Sequence, residues 1–175
     1  MADLIQFTHT EAALREYGDA VAAAYKEKLR QNKRRATGEL LGSVAVRIID
    51  ELGGGISVAL DLANYWKYVE WDTRPHWPPS GVLLDWITAK PIIPTPDDRG
   101  RIPTPEQLDF LIRRKIAGKS PDGSGGFKPG GTKGTHDLAE SVEAINAEWL
   151  PRIEEALTKD LDEFTQAQIW LLVSR

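Results

Sequence analysis

Apolar positions along the chain change period several times, and each change marks an element. Leu14, Tyr17, Val21, Ala24 and Leu29 recur at near-helical spacing and give one apolar stripe, the mark of an amphipathic helix. Thr8, with Glu11 three residues later, is a capping-box pair that predicts its start near His9 or Thr10. Thr37-Gly38 predicts its stop. The period then drops to two, with Val44, Val46 and Ile48 on one face and Ala45, Arg47 and Ile49 on the other. After Gly53-Gly54-Gly55, residues free to take positive φ, Ile56, Val58 and Leu60 alternate with Ser57, Ala59 and Asp61. The two runs predict a β-hairpin over about 43–61 with one buried face. A lone hairpin is marginal in water, so the helix should pack on that face, with strands of another subunit as further cover.

Beyond the hairpin the pattern turns helical again. Ala63 to Trp71 reads as a short helix or an irregular segment, ended by Arg74-Pro75. Val82, Leu83, Trp86 and Ile87 predict a helix over about 80–90 with Ser80 as its N-cap. Pro91, Pro94, Pro96 and Pro103 make residues 91–103 a stiff, extended loop. Thr104 as cap and Pro105 at the first position open a helix over about 105–117. Leu108, Leu111, Ile112 and Ile116 line it, and Arg113, Arg114 and Lys115 face outwards. Residues 118–136 hold seven glycines and two prolines with no hydrophobic period, and read as a long mobile loop. Leu138, Val142, Ile145, Trp149, Ile153, Leu157, Leu161 and Phe164 then step by three and four in a long amphipathic helix, placed over about 137–160, with Pro151 as its bending point. The apolar tail Ile169-Trp170-Leu171-Leu172-Val173 is either a terminal strand or the last helical turns. The expected class is α+β: a small antiparallel sheet packed against a long N-terminal helix, in a single domain over 1–175.

Charge sharpens this picture more than composition does. The net charge of −4 over 175 residues argues against a general nucleic-acid binder. Its placement is uneven, however. Lys26, Lys28, Arg30, Lys33, Arg34 and Arg35 cluster against Glu27 alone, whereas nine acids between Asp137 and Glu163 face only Arg152 and Lys159. Zero cysteines exclude disulfides, thiolate metal sites and cysteine nucleophiles. No apolar run approaches ~20 residues, so no membrane span is expected, and Met1-Ala2-Asp3-Leu4-Ile5 lacks signal-peptide character.

Reactive chemistry has little foothold. Gly118-Lys119-Ser120 resembles the end of a phosphate loop, but Arg113 stands where its first glycine belongs. His9, His76 and His136 are far apart in sequence, Asp97-Asp98 sits beside Arg99 and Arg101 in a proline-rich loop, and no serine has a nucleophile-elbow context. The chain is therefore expected to be no enzyme and to need no cofactor or metal. What stands out is aromatic: Tyr65, Trp66, Tyr68, Trp71 and Trp77 fall within fifteen residues. They are either core residues capping the hairpin or a docking surface, since large aromatics dominate both cores and interfaces. The expected interface comprises Tyr65, Tyr68, Glu70, Trp71, Arg74 and Trp77, the basic residues Lys26, Arg30, Lys33, Arg34 and Arg35, and Phe127 and Lys133 of the loop. The basic end is either a solvated face or a surface for DNA or for a neighbour's acidic helix.

Segment order adds a resemblance. Thr37-Gly38-Glu39-Leu40-Leu41-Gly42-Ser43 follows the pattern T-G-x-L-x-x-S, and Tyr65 to Thr73 follows Y-x-x-Y-V-E-F-G-T with Trp71 for phenylalanine and Asp72 for glycine. Together with Leu84-Asp85-Trp86-Ile87, Leu111 to Ile116 and Gly130 to Thr135, this is similar to the tail-component family of long-tailed bacteriophages. These are the gene-product-ten-like proteins of lambdoid phages, and the later segments resemble a variant seen in phages and prophages of Bacteroides-type hosts. The resemblance spans about residues 10–165. It implies a non-enzymatic virion protein acting in tail completion or head–tail joining, made in the host cytoplasm. It would assemble as a hexameric or other ring that meets neck, connector or tail-tube proteins, with lumenal DNA contact as an open question. A tail terminator ring and a DNA-contacting module are the alternatives. Asp72 departs from the family pattern and leaves the local turn geometry open.

Overall fold

Gly18 sets how closely the first helix meets the hairpin. The computed structural model describes residues 5–32, 38–51, 54–90, 92, 94–96, 98–118 and 130–174. Helix α1 (Thr8–Gln31) lies on the hairpin formed by β1 (Ala45–Glu51) and β2 (Gly55–Asp61). A Cβ at position 18 would stand 2.6 Å from Val46 and 2.8 Å from Val58; only glycine permits that approach. Pairing Val46 with Leu60, Ile48 with Val58 and Asp50 with Ile56 keeps the predicted apolar positions on one face. Gly54 turns the chain at φ 86°, and Arg47 and Asp61 close the other face with an ion pair at 2.9 Å.

The chain divides into two compact units, residues 1–32, 43–62 and 137–175 in one and 33–42 and 63–136 in the other. In the first, α6 (Asp137–Val173) runs antiparallel along α1. Tyr17 donates to Asn146 Oδ1 at 2.8 Å, Asn32 donates to Asp137 at 2.6 Å, and Lys28 pairs with Glu140. Val21, Ala22, Tyr25, Leu29, Val44 and Ala156 are the buried apolar residues of this unit. The expected α+β architecture, with the hairpin against a long N-terminal helix, is what the chain adopts.

Three local expectations are corrected. The Thr8–Glu11 capping box does not form: the helix begins at Thr8, its N-cap Phe7 offers no side-chain bond, and Glu11 pairs with Arg15 at 3.0 Å. The first-turn donors are met from across the fold by Asp160 of α6. Its carboxylate accepts from His9 N at 2.9 Å, Thr10 N at 2.8 Å and Thr10 Oγ1 at 2.7 Å. Helix α1 ends at Gln31, short of Thr37-Gly38. Helix α6 runs through Pro151 and on past 160 to Val173, so of the two alternatives for the apolar tail the structure takes the last helical turns.

The second unit is built from α3 (Trp66–Glu70), α4 (Leu84–Ala89) and α5 (Pro105–Ile116), with the short α2 (Glu39–Ser43) at its boundary. The predicted Thr104 cap closes as a full capping box with Gln107. Ser80 is not a cap, because α4 starts at Leu84; its hydroxyl instead accepts from Arg113 at 3.4 Å. Arg113 does not face outwards either. It is buried with Asp109 one turn earlier, Nε to Oδ2 at 2.8 Å, and this pair draws Leu111 round to the exposed side. The glycine-rich loop is ordered where it is described. Residues 130–136 form a strap: Gly134 N donates to Asp72 at 2.7 Å, His136 N to Glu70 O at 3.0 Å, and Thr73 N to Thr132 O at 2.9 Å. Asp72 thus holds the strap together with Thr73 and the Glu70 carbonyl.

Candidate docking surfaces

The strap and the buried ion pair fix the aromatic segment from two sides. Asp109 takes backbone N–H groups of Gly81 at 3.3 Å and Leu83 at 3.4 Å besides Arg113. Burial pushes its carboxyl up, but those amide donors and the Arg113 guanidinium outweigh it and hold the pKa below the usual carboxylate range. Arg113 also reaches the Pro78 carbonyl at 3.5 Å and lies 5.8 Å over the Trp77 ring. Trp77 meets Phe110 edge-on at 6.0 Å, and Trp66 meets Trp71 at 5.2 Å.

On this frame the large rings remain at solvent. Tyr68 is 57% exposed and Trp71 51%; Tyr65, Trp77, Phe110 and Leu111 are exposed too. Trp66 and Trp86 are partly buried. The cluster is thus not a wholly buried cap on the core: Trp66 and Trp86 are partly covered and the other rings face solvent. Arg74 and Lys133 are exposed, the latter on the strap. Glu70, grouped with them as an interface residue, is 1% exposed and lies inside instead. Phe110 and Leu111 were missed in the sequence because a helix pattern alone does not reveal that a charged pair, Asp109 and Arg113, takes the inner face. Their i, i+4 spacing was the available signal.

In the first unit the basic end of α1 is partly neutralised. Lys28 pairs with Glu140 and Arg30 with Glu27 at 3.3 Å, while Lys26 is half-buried. Lys33, Arg34, Arg35 and Phe127 lie outside the described residues, as do 119–129. The far end of α6 exposes Ile169, Trp170, Leu171, Leu172 and Val173. Five contiguous apolar residues cannot share one helix face, and that was the sequence signal for a surface there.

His9, Asp160 and Glu163 bring ligand-type atoms within 4.8 Å of one another. Both Asp160 oxygens already serve the α1 N-terminus, and a cation there would oppose the positive end of the helix dipole. Burial raises the Asp160 pKa, but the Thr10 hydroxyl and the amides of His9 and Thr10 hold it below the ordinary range. The trio therefore reads as a helix cap with an exposed His9–Glu163 contact at 3.0 Å. Among the described residues no helix is long and apolar enough to cross a membrane. No protein-family model, curated protein or solved structure matches this chain.

Proposed function

We propose that the chain is a structural subunit of a bacteriophage neck or tail, serving tail completion or head–tail joining by ring assembly and docking rather than by catalysis. The observation that carries this reading is the solvent-facing set Tyr65, Tyr68, Trp71 and Trp77. It falls on the segment that resembles the tail-component proteins. Exposed Trp and Tyr on a braced backbone are suited to anchoring a protein interface at low entropic cost. A ring joins unlike faces of successive copies, and the aromatic face and the exposed acids of α6, among them Glu143, Glu148 and Glu154, supply unlike faces. The partners on this reading are further copies of the chain and the adjacent neck, connector or tail-tube proteins in the virion.

Pairing of Lys28 and Arg30 with acids of the same chain weakens the DNA-contacting alternative. Native mass measurement with negative-stain imaging of the purified chain tests the proposal. A closed ring is expected. A monomer that shifts duplex DNA, with affinity falling steeply in salt, would overturn it.

A further inference from the structure

We propose that the outer stripe of α6, Leu150, Leu157 and Leu161 flanked by Glu143 and Glu154, docks on the aromatic face of a second copy of this chain. It meets Tyr68 and Trp71 there, among Lys67, Arg74 and Lys133. This contact rests on the ring-assembly reading and supplies the two surfaces that a ring would join. Along α6, Glu143, Ala147, Leu150, Glu154, Leu157 and Leu161 step by four and three residues, which sets them on one side of the helix. All six are exposed, Leu150 at 52%, Leu161 at 42% and Leu157 at 38%. The stripe with Ser141, Ala156 and Asp160 is the one buried against the subunit itself. Surface leucines scattered singly need no explanation, but three on one stripe, spread over ~16 Å of helix and rimmed by charge, mark an interaction surface.

Charge selects the occupant. Arg152 and Lys159, the bases in the middle of α6, lie on its far side and pair there with Glu148 at 2.7 Å and Glu155 at 2.8 Å. Glu143 and Glu154, beside the leucines, meet no cation among the described residues. A second α6 would therefore face the stripe with acid against acid. The aromatic face carries the opposite sign. Lys67 lies 5.3 Å over the Tyr68 ring, and Arg74 ends the same segment. Lys133 is brought beside it by the strap, between the Thr132–Thr73 and Gly134–Asp72 hydrogen bonds. All three bases are exposed, and none is paired with an acid among the described residues. The acids of the segment are otherwise engaged, Asp72 by the strap and Glu70 by burial. Apolar side chains on each surface are thus ringed by unspent charges of opposite sign, an arrangement that sets register and suppresses wrong partners. DNA is the competing occupant for a basic, aromatic face, but the net charge of −4 opposes it and DNA leaves the leucine stripe uncovered.

The test is charge exchange, read by sedimentation at high micromolar concentration and matched salt. Lys67→Glu/Arg74→Glu and Glu143→Lys/Glu154→Lys change only exposed side chains, so circular dichroism is expected to show the fold retained in both. Each is expected to fall from the parent's assembly to monomer. An equimolar mixture of the two, and a chain carrying all four changes, are expected to assemble again, because opposite signs then meet. A parent ring that both double variants keep would overturn this contact and leave ring assembly standing. So would folded double variants that neither the mixture nor the fourfold chain rescues. A monomeric parent would overturn both. If that monomer binds duplex DNA, and loses it with Lys67→Glu/Arg74→Glu alone, the aromatic face belongs to nucleic acid.

Discussion

Asp160 shows how one carboxylate ties the two ends of a chain together. It sits 150 residues from the helix it caps, replacing a local box that Thr8 and Glu11 had promised. Replacing it with alanine removes three hydrogen bonds at once, and a lost cap costs about 1–2 kcal/mol. Asp160→Ala is therefore expected to lower the unfolding free energy measured in urea by that margin. The pH dependence follows from the depressed pKa. In the unfolded chain the group titrates near ~3.9; its stabilisation is complete above that value and is lost as pH falls through the lower folded pKa. Urea melts between neutral pH and acid should show the parent losing stability in that window and the variant losing less. Parallel curves would mean the cap bonds are not formed in solution. A sequence shows that the first amides of a helix need acceptors, but not which distant acid supplies them.

At the scale of elements, the period of apolar residues disclosed most of the fold, and glycine was the residue that misled. Alternation gave the hairpin its buried face, which the pairs Val46–Leu60 and Ile48–Val58 keep together, and Thr104-Pro105 marked the start of α5. These signals are local, so they survive without knowledge of neighbours. Glycine serves both looseness and close approach, so the pattern of 118–136 suggests a mobile loop although 130–136 is bonded in place. Here it serves approach: a Cβ at Gly131 would stand 2.0 Å from Thr73 O, with φ at 90°, and one at Gly134 would stand 2.4 Å from Glu70 O. Gly131→Ala and Gly134→Ala are each expected to cost about 2 kcal/mol or more, by prising the strap from Asp72 and Thr73. Gly42→Ala, with nothing within 4 Å of the added carbon, is the control and should be neutral or slightly stabilising. Equal effects at all three positions, measured by denaturant unfolding, would remove the strap from the account. The inner face of α5 was illegible for a related reason. Its buried positions are Asp109 and Arg113, which a search for apolar stripes passes over.

For the whole molecule the question is what an exposed aromatic can be for. Tyr68 and Trp71 are about half open, whereas Trp77 packs on Phe110 and lies under Arg113. Tyr68 adds little to its own subunit's stability and Trp71 only its contact with Trp66, so packing does not explain their open faces, but each can supply about 2 kcal/mol or more as an interface anchor. The two roles separate experimentally. Tyr68→Ala/Trp71→Ala is expected to leave monomer stability within about 1 kcal/mol of the parent while abolishing assembly at matched concentration in native mass spectra. Trp77→Ala is expected to do the reverse in part, lowering stability as well, because the Asp109–Arg113 pair loses its ring cover. If the double variant melts early yet still assembles, the exposed rings belong to the fold and docking must be sought elsewhere. If it folds and no longer assembles, the aromatic face is the contact, whatever its partner.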